Sequence, residues 1–263
     1  MLERSGDSGR TTARTTMSIT ATSPTRPTIV LVHGAFAESS SWSGLIAILL
    51  REGYPVIAVA NPLRGVRLDA DYLRAVLDDV SGQIILVGHS YGGTVITNAA
   101  TGNADVRALV YIGGFAPDAG ETAAELAGRY EGGTLGDTLT AVALPDGGND
   151  LYIVQGKYRA QFAADSSEAD AALMAATQRP IVEAALNEPS GEPAWKSIPS
   201  WFLFGSDDRN IPAASHRFMA DRAGARKTVE LQGGSHSVAV PEAATVADLI
   251  REAVAAVAHD DGA

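Results

Sequence analysis

Cysteine is absent from the 263 residues. That single absence excludes disulfides, thiolate metal sites and a cysteine nucleophile, while leaving the compartment open. Positive charge is also scarce: 20 Lys and Arg stand against 31 Asp and Glu, a formal net charge of −11. Such a surface repels nucleic acid and anionic membrane, so neither is expected as a partner. No apolar run approaches the roughly 20 residues needed to span a bilayer. Met1 to Arg26, rich in Thr, Ser, Arg and Gly, contains no hydrophobic block suited to a signal peptide. A cytoplasmic location is the simplest expectation, and residues 1–26, with few large apolar side chains to bury, are read as a disordered extension. No two histidines have helical ligand spacing, and no repeat or extended low-complexity tract is present. Neither a metal nor a cofactor is expected.

What remains has 46% hydrophobic and 19% charged residues, enough to bury a substantial core. From Thr28 onward, short apolar runs alternate with longer amphipathic segments. The strand candidates are Thr28 to Val32, Pro55 to Ala60, Ile84 to Gly88, Ala108 to Ile112, Trp201 to Gly205 and Thr228 to Leu231. Most are apolar throughout, as strands covered by helices on both faces should be. Helices are expected over Ser40 to Arg51, Asp69 to Val80, Gly92 to Thr101, Ala213 to Arg222 and Pro241 to Val257. In the second, Tyr72, Leu73, Val76, Leu77 and Val80 fall on one face, with Asp69 as a candidate cap. The alternation specifies an α/β fold with a mostly parallel sheet flanked by helices. It breaks down between Ala116 and Ile198, where no strong strand is visible. A structureless loop that long is rare in a compact domain, so residues 116–198 are read as a small, mainly helical cap inserted into a core formed by residues 27–115 and 199–259.

The apolar run Ile84 to Val87 leads directly into Gly88-His89-Ser90-Tyr91-Gly92-Gly93, and an amphipathic segment follows. Gly-x-Ser-x-Gly alone is a weak signal, but between a strand and a helix it marks a sharp turn that exposes a serine hydroxyl. Such a serine sits in a sparsely populated backbone conformation, and the flanking glycines give it room. It also lies at the positive end of a helix, where the Tyr91 amide can face a developing oxyanion. Ser90 is therefore the candidate nucleophile.

A serine hydroxyl needs a base, and the base needs an orienting acid. Of five histidines, His33 and His89 lie inside tight motifs, His216 on an expected helix and His259 in the polar tail. His236 falls just after the last strand, at the sheet edge where a base belongs. The strand Trp201 to Phe204 runs into Gly205-Ser206-Asp207-Asp208-Arg209-Asn210-Ile211-Pro212, which makes Asp208 the candidate acid. Asp207 is the turn-forming alternative, and Asp118 the outside candidate. The second oxyanion donor is expected from His33-Gly34-Ala35-Phe36: the Ala35 amide, with that of Phe36 as the alternative. His33 itself is read as fixing its loop through backbone hydrogen bonds.

Together these motifs resemble those of the α/β-hydrolase superfamily, from about Thr28 to Val257. The resemblance implies the α/β-hydrolase fold, and in that family a proline four residues after the aspartate supports Asp208 over Asp207. Residues His33 to Trp42 are similar to the methylesterase and hydroxynitrile lyase branch and to related bacterial hydrolases. The lyases of that branch carry Thr at the position of Gly34 and Lys at that of Ser237, so the resemblance implies the esterase side.

The expectation is thus a serine hydrolase, carboxylesterase-like, acting on a small-molecule ester through Ser90, His236 and Asp208 and an acyl-enzyme. Ala35 and Tyr91 supply the oxyanion hole, and Phe36 and Phe115 line the substrate site. Other chemistry on the same triad is the first rival: lactone, amide or carbon–carbon hydrolysis, perhydrolysis or cyanohydrin cleavage. A ligand-binding protein on a hydrolase scaffold is the second, and a metal-dependent enzyme the third. Tyr130, Tyr152, Phe162, Met174 and Trp195 are weighed as cap residues lining the site or simply as core. Oligomeric state has no sequence signal.

Overall fold

The structure, a computed structural model, describes residues 26–145 and 147–260, with side chains as far as Ala258. The expectation for residues 1–26 lies outside the described residues except at Arg26, whose guanidinium sits 4.7 Å from the centroid of the Tyr54 ring.

The first half alternates strand and helix as its apolar runs require: β1 (Thr28–Val32), α1 (Ser43–Arg51), β2 (Val56–Val59), α2 (Val66–Asp78), β3 (Ile84–His89), α3 (Tyr91–Ala99) and β4 (Val106–Ile112). An intervening segment carries α4 (Ala123–Gly128), β5 (Leu139–Ala143), β6 (Asn149–Ile153), α5 (Gln155–Phe162), α6 (Glu168–Thr177), β7 (Ile181–Val182) and α7 (Glu183–Leu186). The chain then resumes with β8 (Ser200–Gly205), α8 (Ala213–Arg222), β9 (Lys227–Leu231) and α9 (Ala243–Asp260).

Six strands form one sheet in the order β2-β1-β3-β4-β8-β9, every pair parallel. From β1 the chain first adds β2 on one side and later β3 on the other. The loops leaving β1 and β3 therefore diverge at their carboxyl ends, and a crevice opens there.

Alternate strand residues feed two separate cores. On one face Val30, Val32, Leu86, Leu109 and Phe202 meet Leu73, Leu77, Val95, Ile96 and Met219 of α2, α3 and α8. On the other Ile29, Leu31, Ile85, Val87, Val110 and Leu203 meet Leu45, Leu49, Val246, Leu249 and Ile250 of α1 and α9. Each fully buried Leu or Ile contributes about 2 kcal/mol. In α2 the buried stripe runs Val66, Asp69, Ala70, Leu73 and Leu77, and Tyr72 is 43% exposed. Tyr72 lies one residue, about 100° of helix rotation, from Leu73, which turns its ring toward solvent. Asp69 does not cap α2. It lies inside the helix and accepts hydrogen bonds from the Arg64 and Gly65 amides of the preceding turn. The amides of Val66 and Arg67 instead donate to the carboxylate of Glu188, at 2.7 and 3.1 Å. A distant acidic side chain thus satisfies the helix N-terminus.

The segment between β4 and β8 carries the helices α4 to α7, but it also holds a three-stranded antiparallel sheet, β5-β6-β7, that its sequence does not signal. Four of the five β5 residues are exposed, so that strand lacks the one-sided alternation by which strands are recognised. Besides Glu188, an ion pair between Arg64 and Asp150 at 2.6 Å fastens this segment to the α/β layers.

Candidate active site

Ser90 stands at the turn between β3 and α3, with φ 53° and ψ −125°. A non-glycine residue is strained there, and its backbone is pinned on both sides. The Ser90 carbonyl accepts from the amides of Gly93 at 2.9 Å and Phe115 at 3.1 Å, and the Ser90 amide donates to Ile112. The turn closes only because side chains are missing beside it. A Cβ on Gly88 would lie 2.7 Å from the Gly92 carbonyl oxygen, and one on Gly92 would collide with the backbone of Val32 and His33.

Two further strand ends bring His236 and Asp208 together. His236 Nδ1 lies 2.7 Å from Asp208 Oδ2, and both side chains are fully buried. Asp208 Oδ1 accepts from the amides of Asn210 at 2.8 Å and Ile211 at 2.9 Å. His216 Nε2, on α8, reaches the same Oδ2 at 3.2 Å, with its ring stacked on Phe204. Burial opposes the charge on Asp208. The two histidines outweigh it, by the charge interaction with His236 and by the hydrogen bonds of both, and hold the carboxyl well below its ordinary range. An ionised carboxylate only accepts, so His236 carries its proton on Nδ1 and leaves the lone pair of Nε2 without a partner. Ser90 Oγ makes no hydrogen bond to that nitrogen in this structure. The two loops are nonetheless adjacent: the ring Nε2 of His89, the residue before Ser90, lies 3.0 Å from the His236 carbonyl oxygen.

The other acid candidates lie elsewhere. Asp207 accepts from the Ser206 hydroxyl and is exposed. Asp118 pairs with Lys196 at 2.7 Å. His216 lies on its expected helix, and no motif in the sequence links it to Asp208, eight positions earlier.

The loop after β1 lies against the serine. His33 donates from Nδ1 to the Gly34 carbonyl at 2.9 Å and accepts the Asn61 amide on Nε2 at 3.1 Å, so it fixes the loop as its position suggested. Burial lowers its pKa to about 4, which keeps the ring neutral near pH 7. Gly34 is in tight contact: a Cβ there would lie 2.6 Å from Ser90 Cβ and 2.7 Å from the His89 carbonyl oxygen. The Phe36 amide is taken by the Arg179 carbonyl at 2.9 Å, which removes it as an oxyanion donor. The amides of Ala35 and Tyr91 have no acceptor among the described residues. Phe36 holds a left-handed φ of 59°, and its carbonyl accepts the Tyr158 hydroxyl at 2.7 Å.

Ser90 opens into a cavity of about 260 Å³ bordered by Phe36, Phe115, Ile211 and Asn210, with Ala123, Ala127, Leu135 and Leu186 from the intervening segment. No charged side chain lines it. Phe36 and Phe115 border this cavity, whereas Tyr130, Tyr152, Phe162, Met174 and Trp195 do not. Phe162 packs edge-on against the His236 ring at 4.8 Å, Trp195 donates to the Pro117 carbonyl, and Tyr130 leans on Phe218. Met174 borders a separate cavity, and Tyr152 is half-buried in β6. The intervening segment instead contributes Ala, Gly and Leu residues, types that serve equally as ordinary packing.

The loop bearing His236 is tied down from α5 and the turn after it. Ser235 donates from both its amide and its hydroxyl to the carboxylate of Asp165, and the Ser237 amide donates to the Phe162 carbonyl at 2.9 Å.

Comparison with known proteins agrees with this architecture. The chain is 26% identical over 231 residues to an alpha-hydroxynitrile lyase of Arabidopsis thaliana, covering 80% of this chain and 90% of that one. A carbendazim hydrolyzing esterase of Nocardioides sp. is 34% identical over 106 residues, 35% of this chain and 44% of the relative. The crystal structure of polyneuridine aldehyde esterase superposes with a TM-score of 0.75 at 18% identity, over 86% of this chain and 98% of that one. The family model described as the alpha/beta hydrolase family matches residues 29–249, and the chain belongs to that family.

Proposed function

We propose that this protein is a serine hydrolase that cleaves a small, uncharged carboxylic ester. The observation that carries the reading is the buried Asp208–His236 pair, which commits Nδ1 and leaves the Nε2 lone pair for the Ser90 hydroxyl. Ser90 Oγ gives its proton to His236 Nε2 and attacks the ester carbonyl. Asp208 holds the ring and stabilises the imidazolium. The unengaged amides of Ala35 and Tyr91 bind the tetrahedral oxyanion. Collapse returns the proton to the departing alcohol, and water, deprotonated by His236, then releases the acid from Ser90. Residues 116–198 act as the cap that supplies the outer wall of the substrate cavity.

Substrate class follows from the lining. With no charged residue and about 260 Å³ of space, just below the usual range of ligand-site volumes, the cavity suits a compact neutral group. Cyanohydrin cleavage, the activity named for the Arabidopsis relative, is the second reading. It is disfavoured because a departing cyanide would meet no cation in the lining. At the position after the histidine, Ser237 lines a different, much smaller cavity beside Trp42.

The test is an ester panel varying acyl length and alcohol size, run on the wild type and Ser90→Ala, together with labelling by a fluorophosphonate serine probe. Short neutral esters should be turned over by the wild type alone, with the probe on Ser90. Full activity in Ser90→Ala would sink the proposal, and failure to label Ser90 would revive the binding-protein alternative.

A further inference from the structure

Asn210 is the polar side chain in the cavity wall that neither the triad nor the oxyanion loop uses. It is 5% exposed and lies two residues after Asp208, in the turn whose amides hold that carboxylate. Its orientation is chemically fixed. Gln161 Nε2 lies 3.0 Å from the Arg209 carbonyl oxygen, which only accepts, so that end of the Gln161 amide must be the donor. The other end agrees, because Gln161 Oε1 accepts the Thr134 hydroxyl at 2.9 Å. The same Nε2 lies 2.9 Å from Asn210, so the Asn210 atom facing it must be the oxygen. The Asn210 Nδ2 group is then turned away from Gln161, and it has no acceptor among the described residues. That nitrogen keeps some accessible surface, so a ligand that displaces water from it loses affinity unless it supplies an acceptor.

We infer that Asn210 is a specificity-determining donor: its Nδ2 hydrogen-bonds an ether, carbonyl or hydroxyl oxygen on the part of the substrate lying in the Ser90 cavity. The preferred ester then carries a second oxygen function beyond the scissile group. This rests on reading the Ser90 cavity as the substrate site, but not on the bond that is cleaved.

The test therefore uses ligands that are not hydrolysed. Dissociation constants of 2-heptanone and its analogues with one methylene replaced by an ether oxygen are measured by NMR titration on the wild type, Asn210→Leu and Gln161→Met. For at least one oxygen position, the ratio of ether to ketone affinity should fall about fivefold in Asn210→Leu, the scale of one neutral hydrogen bond. Gln161→Met, which leaves the donor in place but unfixed, should move the ratio in the same direction by less. Thermal melts establish that each variant is folded. A ratio unchanged by Asn210→Leu at every position overturns the inference, as does a wild type that binds none of the set. If the ratio shifts while the ester panel shows no turnover, the ester reading fails and the Asn210 site stands.

Discussion

The Nε2 of His216 lies 3.2 Å from Oδ2 of Asp208, the oxygen that also holds His236. With two backbone amides on Oδ1, the carboxylate is hydrogen-bonded from both sides and its plane is fixed. In the proposed mechanism, His216 acts on the reaction through the orientation of Asp208.

Replacing His216 by Leu should lower kcat on the order of tenfold, about 1.4 kcal/mol in the barrier, with KM little changed. His216→Gln, which offers a donor at similar reach, should recover most of the loss. Equal loss in both variants would assign the effect to packing against Phe204 instead of to the hydrogen bond.

Buried neutral histidines make stability depend on pH. His33 and His89 have folded pKa values lowered to about 4 and about 3, burial being the largest cause in each. Unfolded, each takes a proton near pH 6.5, so between there and the folded values the unfolded state binds more protons. Stability should fall as pH drops from about 6.5 toward 4, by roughly 1.4 kcal/mol per pH unit for each histidine. Asp69, whose pKa burial raises, works in the opposite sense as the acid range is entered. Urea midpoints at pH 7, 6 and 5 measure the slope, and a flat profile contradicts it.

Gly34→Thr tests the contact beneath the serine. Its Cβ would press on Ser90 Cβ and the His89 backbone, both at 2.7 Å or less, so the oxyanion loop must shift. Overpacking of this kind costs about 1–3 kcal/mol, and a displacement near 1 Å lowers turnover on the order of a hundredfold. Hydrolysis should collapse without any gain of cyanohydrin cleavage. Denaturation and a mandelonitrile assay check the two halves of the expectation.

Asp165 is exposed, yet it holds the amide and hydroxyl of Ser235, the residue before His236. Asp165→Ala should release that loop and lower kcat on the order of tenfold, about 1.4 kcal/mol in the barrier, with only a small change in melting temperature. Asp165→Asn, which keeps an acceptor for the Ser235 amide, should fall between the two. A loss in melting temperature with kcat intact would assign Asp165 a purely structural role.

Much of this was legible in the residues. Continuous apolar runs located the six parallel strands, and Gly88-His89-Ser90-Tyr91-Gly92 between a strand and a helix located the turn. What escaped the reading lacked a local signal. Strand β5 is exposed on both faces, the cavity wall is built from Ala and Leu side chains that also serve as ordinary packing, and His216 and Asp165 reach their partners only through the tertiary fold. Tyr72 is indistinguishable from the buried face of α2 in sequence, because its neighbour Leu73 is apolar too and blurs the stripe by one residue.

The backbone of Phe36 has a further consequence for engineering. Its amide and carbonyl are held by Arg179 and Tyr158, both from the segment between β4 and β8. That segment is thus no interchangeable specificity module. Grafting one from a relative would reshape the cavity and, in the same stroke, unfasten the loop next to Ser90. Chimeras should be assembled by exchanging wall residues on α4 while Tyr158 and Arg179 stay in place.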